Sequence, residues 1–479
     1  MALLALHEDE GVVTMWALQV AAGRVPYRDF VVYTAPTTAY LYGAAFRLFG
    51  SSLFLDRVLD GVPMVFSTVF LALLARRFLP AAWAAAVVLL WGIWLPAFIG
   101  YGAYHFWGPA FIVVMAWALL RPEPRLVLAG AAAAAALLFY QGVAPAVLAG
   151  LLVAFLARRR LRDALAMAAG PTLAGLLLGA SLLISGNLAS FFDQTIGFTF
   201  GRYQDFNRLP FPANPLLLAD TVNWHLGVAR FWAFPMFWLL AVVVPFVVAG
   251  YALYALVMAI RSGEALSPAA ALAVVSTGLL ASAFVARVGG PICWLHAPLA
   301  LVLVAVRLRP LTSNPSTSRR LAVVAPTLLL FVTGLSPAPV GYWMSCTTNP
   351  GGPLTTAVDT AAGRVCLRVD EAIQFRFVGN MLGRLGTPVV FLPDAPALYQ
   401  LTASPPLVPS YWVLPRHTRP SEVAWMEAAM LRMNTAVYVD DSNLDKGHPW
   451  SFDDFLAANF GVVDRSPGVA VYSRKAQAP

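Results

Sequence analysis

The chain has 479 residues, 59% hydrophobic and 12% charged, with a formal net charge of +8 and a mean hydropathy of +0.71. Soluble proteins carry about 25% charged residues, so a wholly water-facing surface is excluded and much of the apolar surface must meet lipid. Three cysteines are too few for a disulfide scaffold or a Cys-rich zinc site, and the basic residues lie between apolar runs rather than in a nucleic-acid-binding stripe.

Residues 1–6 read as the end of an apolar helix. They have neither the basic lead nor the length of a signal peptide, so a further spanning helix is expected ahead of them. His7, Glu8, Asp9 and Glu10 follow. From Thr14 to Ala22 apolar residues recur at helical spacing, which suits a helix lying at a membrane surface. Gly23 ends it, and Pro26-Tyr27-Arg28-Asp29-Phe30 is a turn-rich connection. Pro36 opens a second amphipathic helix that runs to Phe49 and stops at Gly50.

A helix needs about 20 mostly apolar residues to cross a bilayer. Ten stretches qualify or nearly so: 55–75, 80–98, 104–120, 126–140, 142–157, 164–185, 233–260, 267–285, 292–306 and 321–340. An eleventh would be the one ahead of residue 1. Gln141-Gly142 marks the turn between the fourth and fifth. Arg76-Arg77, Arg121 with Arg125, Arg158-Arg159-Arg160 with Arg162, Arg261, and Arg307 through Arg320 fall in alternate loops. Those loops are expected in the cytoplasm. Residues 1–54, the long loop 186–232 and the tail 341–479 then share the opposite face. The expected organisation is a first outer loop (1–54), a polytopic α-helical core (55–340) and a soluble non-cytoplasmic α/β domain (341–479).

In the tail, Thr387 to Pro393 reads as a buried strand, Ser421 to Met433 as a helix, and Ala436 to Asp440 as a second strand. Phe452 to Phe460 follows as a helix and Val469 to Ser473 as a last strand. The alternation implies a parallel or mixed sheet. Cys346 and Cys366 both lie here; a disulfide between them and two free thiols are both open readings. Asp440, Asp441 and Asp445 form an acidic loop, read first as a solvated one.

The first outer segment carries the most specific pattern. Asp9-Glu10-Gly11, Gly23, Pro26-Tyr27-Arg28-Asp29-Phe30, Pro36, Phe49-Gly50 and Arg57 together resemble the first outer loop of GT-C glycosyltransferases. The likeness is to the bacterial branch that includes lipid A aminoarabinose transferases and to the protein O-mannosyltransferase type. The resemblance implies a first loop folded as two juxtamembrane helices after one spanning helix. It implies a polyprenyl-phosphate-linked sugar as donor, and a lipid, glycan or protein acceptor. It also implies that Asp9 is the general base, with Glu10 as its neighbour. Such chemistry must deprotonate an acceptor and hold a leaving phosphate, tasks for a carboxylate and for guanidinium groups.

Arg28, Asp29, Arg57, His105, Arg202, Arg287 and His296 are the candidate substrate-binding residues. The family often shows an Arg, an acidic residue and a His near the last pair; here Gly289-Gly290 stands in the acidic residue's region. No cofactor is required by these motifs. A divalent cation near His7 to Glu10 is the one metal reading, and consecutive helical residues point in different directions, so all four cannot ligate one ion. Expected partners are the lipid-phosphate sugar, the acceptor and membrane lipid, with no nucleic acid, in a bacterial-type inner membrane. The competing classes are a transporter or flippase, and a non-catalytic envelope assembly protein. Charges gathered outside the apolar spans count against the first of these.

Overall fold

A computed structural model of the chain describes residues 8–98, 104–201, 243–286 and 296–309, and 356–475 except for positions 368, 394, 411–412, 414–417, 434, 441–449, 451 and 467. In chain order the helices are α1 (Glu8–Ala21), α2 (Thr37–Phe49), α3 (Leu53–Phe78), α4 (Ala81–Phe98), α5 (Tyr104–Leu119), α6 (Leu126–Phe139), α7 (Ala144–Leu156) and α8 (Leu161–Ile184). Next come α9 (Leu188–Phe192), a π-helical turn at Asp193–Gly197, α10 (Phe198–Phe200), α11 (Val244–Ser262), α12 (Pro268–Ala286) and α13 (Pro298–Leu308). The tail adds β1 (Thr356–Thr360), β2 (Gly363–Leu367), α14 (Val369–Leu385), β3 (Val389–Leu392), α15 (Ala397–Leu401), α16 (Pro420–Arg432), β4 (Ala436–Asp440), α17 (Asp453–Asn459), β5 (Phe460–Ser466) and β6 (Val469–Arg474). The expected stretch 321–340 lies outside the described residues.

The chain forms two compact units. One comprises Met1–Leu59, Ala189–Phe206 and Gly341–Pro479; the other comprises Asp60–Leu188 and Asn207–Val340.

In the first unit, α1 closes on Gly23, whose φ of 83° no side-chain-bearing residue adopts cheaply. The Gly23 N–H reaches the Val20 carbonyl (2.9 Å) and the Arg24 N–H the Gln19 carbonyl (3.0 Å), the Schellman arrangement. Gly50 (φ 80°) ends α2. The helices pack tightly, because a Cβ on Gly43 would lie 2.5 Å from the Val20 Cβ. The sequence suggested a one-sided surface helix at α1. Its residues 11 to 17 are instead all buried, because the tail covers the faces that α2 leaves open. The tail strands form a hairpin, β1–β2, and a mixed four-stranded sheet in the order β3-β4-β6-β5. Strands β3 and β4 are parallel and the other neighbours antiparallel.

Polar contacts stitch these distant segments into one core. The Val31 N–H donates to the Pro409 carbonyl (2.7 Å). Gln19 Nε2 donates to the Val408 carbonyl (3.0 Å), and Arg24 Nη1 to both Gln19 Oε1 (2.7 Å) and the Pro406 carbonyl (2.9 Å). From the π-helical turn, Gln194 Oε1 accepts the Val32 N–H (3.0 Å) while its Nε2 donates to the Tyr27 carbonyl (3.3 Å). Arg419, just before α16, is ion-paired with Asp193.

The second unit is a helix bundle held by small residues. A Cβ on Gly130 of α6 would strike the Met167 carbonyl of α8, and one on Gly170 would strike the Gly130 carbonyl. A Cβ on Gly278 of α12 would lie 2.6 Å from the Pro145 carbonyl. Such close backbone approach is how apolar helices associate where lipid offers no hydrophobic drive. Among the described residues, four arginines gather at one end. Arg77 Nη1 donates to the Trp117 carbonyl (2.6 Å), and Arg77 and Arg121 flank the Trp117 ring at 5.2 and 5.1 Å. Arg158 reaches the Pro122 carbonyl (3.3 Å), and Arg159 the carbonyls of Ala259 and Glu264. Among the described residues three helices, α3, α8 and α11, are long and apolar enough to cross a membrane by themselves. Several others are shorter: α6 and α7 have 14 and 13 residues and rise about 20 Å each. Gln141–Val143 forms a 3-10 turn between them.

Candidate functional site

The short helix α15 is where the start of α1 and the start of α3 meet the tail. Gly11, two residues beyond Asp9, has no room for a side chain. A Cβ there would lie 2.5 Å from the Ala397 backbone nitrogen and 3.0 Å from Pro396 Cγ. The Gly of Asp9-Glu10-Gly11 therefore answers to a packing constraint set by a segment nearly 400 positions away. One turn along α15, Gln400 Nε2 donates to Asp56 Oδ2 (2.7 Å) and to Ser51 Oγ (3.1 Å). Both Asp56 and Gln400 are buried, at 7% and 4% exposure.

Local chemistry fixes the start of α3. The Ser52 hydroxyl accepts the Leu55 N–H (3.2 Å), and the Leu53 N–H goes to the Ala362 carbonyl of the hairpin (3.1 Å). Two of the N–H groups that a helix start leaves without intrahelical partners are thus satisfied. Leu53 and Leu401 share a small core with Val358, Val365 and Ala372. Asp56 stands in the first turn, where a carboxylate is favoured by the helix dipole. Arg57 follows it, half-buried. Asp9 and Glu10 form the first turn of α1; their side chains lie outside what the structure describes.

Arg28 and Asp29 occupy the other end of α1. From Asp9 to Ala21 the helix rises about 18 Å, and the Pro26–Phe30 turn lies beyond that end. The two residues engage each other: Arg28 Nε donates to Asp29 Oδ1 (2.9 Å) and Nη2 to Oδ2 (2.8 Å), while Asp29 Oδ2 also accepts the Val25 N–H (2.8 Å). The guanidinium contact holds the Asp29 carboxyl below the usual carboxylate range, and burial opposes that only in part. The pair closes a turn in which Tyr27 has a φ of 66°. Burial raises the Tyr27 phenol well above its ordinary pKa, and its hydroxyl donates to the Thr34 carbonyl (2.5 Å).

In the second unit, His105 opens α5, at the end opposite the arginine-lined one, and His296 precedes α13. Both are buried and close enough to interact electrostatically. The His105 ring meets Tyr140 edge-on at 5.1 Å. Arg202 and Arg287 lie outside the described residues, as do His7 and Cys346. Among the described residues no group of three or more His, Cys, Asp or Glu could hold a metal ion, and no step below is routed through one.

Sequence reasoning did not single out Asp56, Gln400 or Gln194. Gln400 sits in an ordinary-looking Ala397-Leu398-Tyr399-Gln400 segment with no local signal. For Asp56 there was one: a carboxylate at the mouth of an apolar run, beside the Arg57 already chosen.

No protein-family model matches the chain, and no curated protein does. Solved structures do. Over 98% of this chain it is similar to 94% of ArnT from Cupriavidus metallidurans bound to undecaprenyl phosphate, at 14% identity and a TM-score of 0.55. Over 98% it is similar to 69% of the Archaeoglobus fulgidus oligosaccharyltransferase in complex with zinc and sulfate, at 13% identity and a TM-score of 0.50. At such identities the likeness is one of fold.

Proposed function

The chain has the GT-C fold, and from that premise we propose that it is an integral-membrane glycosyltransferase moving a sugar from a polyprenyl-phosphate donor to an envelope acceptor. Asp9 takes the proton from the acceptor hydroxyl or amine. The freed lone pair attacks the sugar's anomeric carbon from the face opposite the lipid phosphate, inverting it. The bond from that carbon to the phosphate oxygen breaks, and the phosphate leaves with the electron pair. Arg57 holds the developing charge through its planar donor fork, and Glu10 supports Asp9.

One observation carries this reading. The helix turn bearing Asp9 and the helix turn bearing Asp56 and Arg57 are both packed on α15. Asp9, proposed as the base, and Arg57, proposed as the phosphate-binding cation, thus lie on turns that share α15 as a neighbour although they are 48 residues apart in sequence. The Arg28–Asp29 pair, far along α1, is assigned instead to shaping its own turn. His105 and His296 are assigned to contacts with the sugar or acceptor, and Arg202 and Arg287 keep their expected roles on sequence grounds. Topology supports the same reading. The first unit holds the first outer loop, residues 189–206 of the long loop and the tail, and among the described residues Arg77, Arg121, Arg158 and Arg159 of the second unit collect at one end. We therefore take the chain to be a multi-pass inner-membrane protein that crosses the bilayer at the ten apolar stretches of the sequence, with its tail outside the cytoplasm.

The test is reconstitution in lipid nanodiscs with labelled polyprenyl-phosphate sugars, alongside mass spectrometry of envelope glycans and lipids with and without the gene. The expected result is release of lipid phosphate and loss of one modified species. Unchanged envelope chemistry and no release with any donor would overturn the proposal.

A further inference from the structure

Helix α15 belongs to the tail, yet it grips both helix starts assigned to the reaction. Its first residue and the preceding proline press on Gly11 through backbone and ring atoms. Three residues after that first residue, Gln400 holds the Asp56 carboxylate and the Ser51 hydroxyl. The two grips are separated by one helical turn, a rise of about 5 Å. The Gln400–Asp56 contact is short and buried, and neither grip is part of the tail's own sheet. The Gln400 amide is a neutral donor facing a buried carboxylate, a contact whose loss costs most where no water can replace it.

We propose that α15 is the spacer that sets the gap between Asp9 and Arg57, with Gln400 as its positioning residue acting through Asp56. This rests on the glycosyltransferase reading of the same locality and adds a part to it. An in-line displacement needs its base and its phosphate-binding cation on opposite sides of one sugar ring. A displacement of about 1 Å in such a geometry costs on the order of a hundredfold in rate. The tail then serves catalysis by fixing the distance across the ring.

The experiment exchanges donor and acceptor across the contact, with kcat measured per monodisperse molecule of the full-length protein. Gln400→Glu sets two carboxylates against each other. It lowers kcat by about tenfold or more near neutral pH and recovers as the pH falls, when a shared proton restores the hydrogen bond. Adding Asp56→Asn reverses the polarity of the pair, since the amide now donates to the new carboxylate. Activity returns to within about threefold of the parent protein. Asp56→Asn alone keeps an acceptor oxygen for Gln400 and lowers kcat by less than Gln400→Glu does. Parent-like kcat for Gln400→Glu at every pH overturns the proposal. So does a double variant that folds but remains as slow as the single one, and this decides the matter if the single variant does not fold. A loss on Asp56→Asn as deep as that on Asp9→Asn also overturns it, because the Asp56 charge would then act directly. An active Asp9→Asn with a sensitive Gln400 pair would instead count against the choice of base and leave Gln400 as a positioning residue for the start of α3 alone.

Discussion

The two units solve the problem of cohesion in opposite ways. The helix bundle packs backbone on backbone at Gly130, Gly170 and Gly278 and, among the described residues, gathers Arg77, Arg121, Arg158 and Arg159 at one end. The unit made from the first loop, the π-helical turn and the tail is tied by side chains that replace backbone partners. Gln194, Gln19 and Arg24 each bond main-chain groups far away in sequence. Cohesion without a hydrophobic drive demands small residues and dense contact. Cohesion among irregular segments demands that every buried N–H and C=O find a partner. The candidate chemistry belongs to the second kind of unit, where long-range polar contacts place individual side chains.

That contrast breaks most readily at the glycines. Gly130→Val forces a branched side chain into the Met167 carbonyl. It is expected to cost about 3 kcal/mol or more, read as loss of monodisperse protein. Gly175→Val on α8 meets nothing within 4 Å and is expected to leave the melting temperature within a few degrees of the parent. In the other unit the sensitive positions are polar. Gln194→Leu strips partners from the buried Val32 N–H and Tyr27 carbonyl. It should cost about 1–3 kcal/mol, seen first as faster amide exchange between residues 25 and 33.

The two arginines sharpen the picture further. Arg57→Ala should raise the donor KM by about tenfold, as expected for a lost charge-assisted contact. Arg28→Ala should change it by less than about threefold. The smallest effect concerns pH. The folded Asp29 carboxyl titrates below its ordinary value because of Arg28. Its stabilisation is therefore fully present above the ordinary carboxylate range and lost as pH falls through the lowered pKa. Amide exchange at Val25, whose N–H it accepts, should accelerate only in that acidic window. Asp29→Asn should show no such step.

Elements punctuated by their own residues were legible in the sequence. Pro36 and Gly50 bracket α2, and β4 spans Ala436–Asp440 as its β-rich composition implies. The hairpin of β1 and β2 was not foreseen. Its two-residue loop, Ala361-Ala362, lacks the Asn-Gly or Gly signature of a tight turn. Strand β5 was missed because it begins at the residue directly after α17. The burial of α1 was also hidden, since part of its cover comes from the tail and no local pattern reports a partner nearly 400 residues away. For the same reason the site was half visible. Asp9 and Arg57 stood out by type and place, whereas Gln400 has meaning only through its contact with Asp56.

The central claim is that the first turn of α1 carries the base. Asp9→Asn, which keeps the shape and removes the charge, tests it in nanodiscs with paired assays of donor binding and sugar transfer. The account predicts a folded protein that binds the polyprenyl-phosphate sugar normally and transfers it about 10²–10⁴-fold more slowly. Transfer at the parent rate by that variant would contradict it.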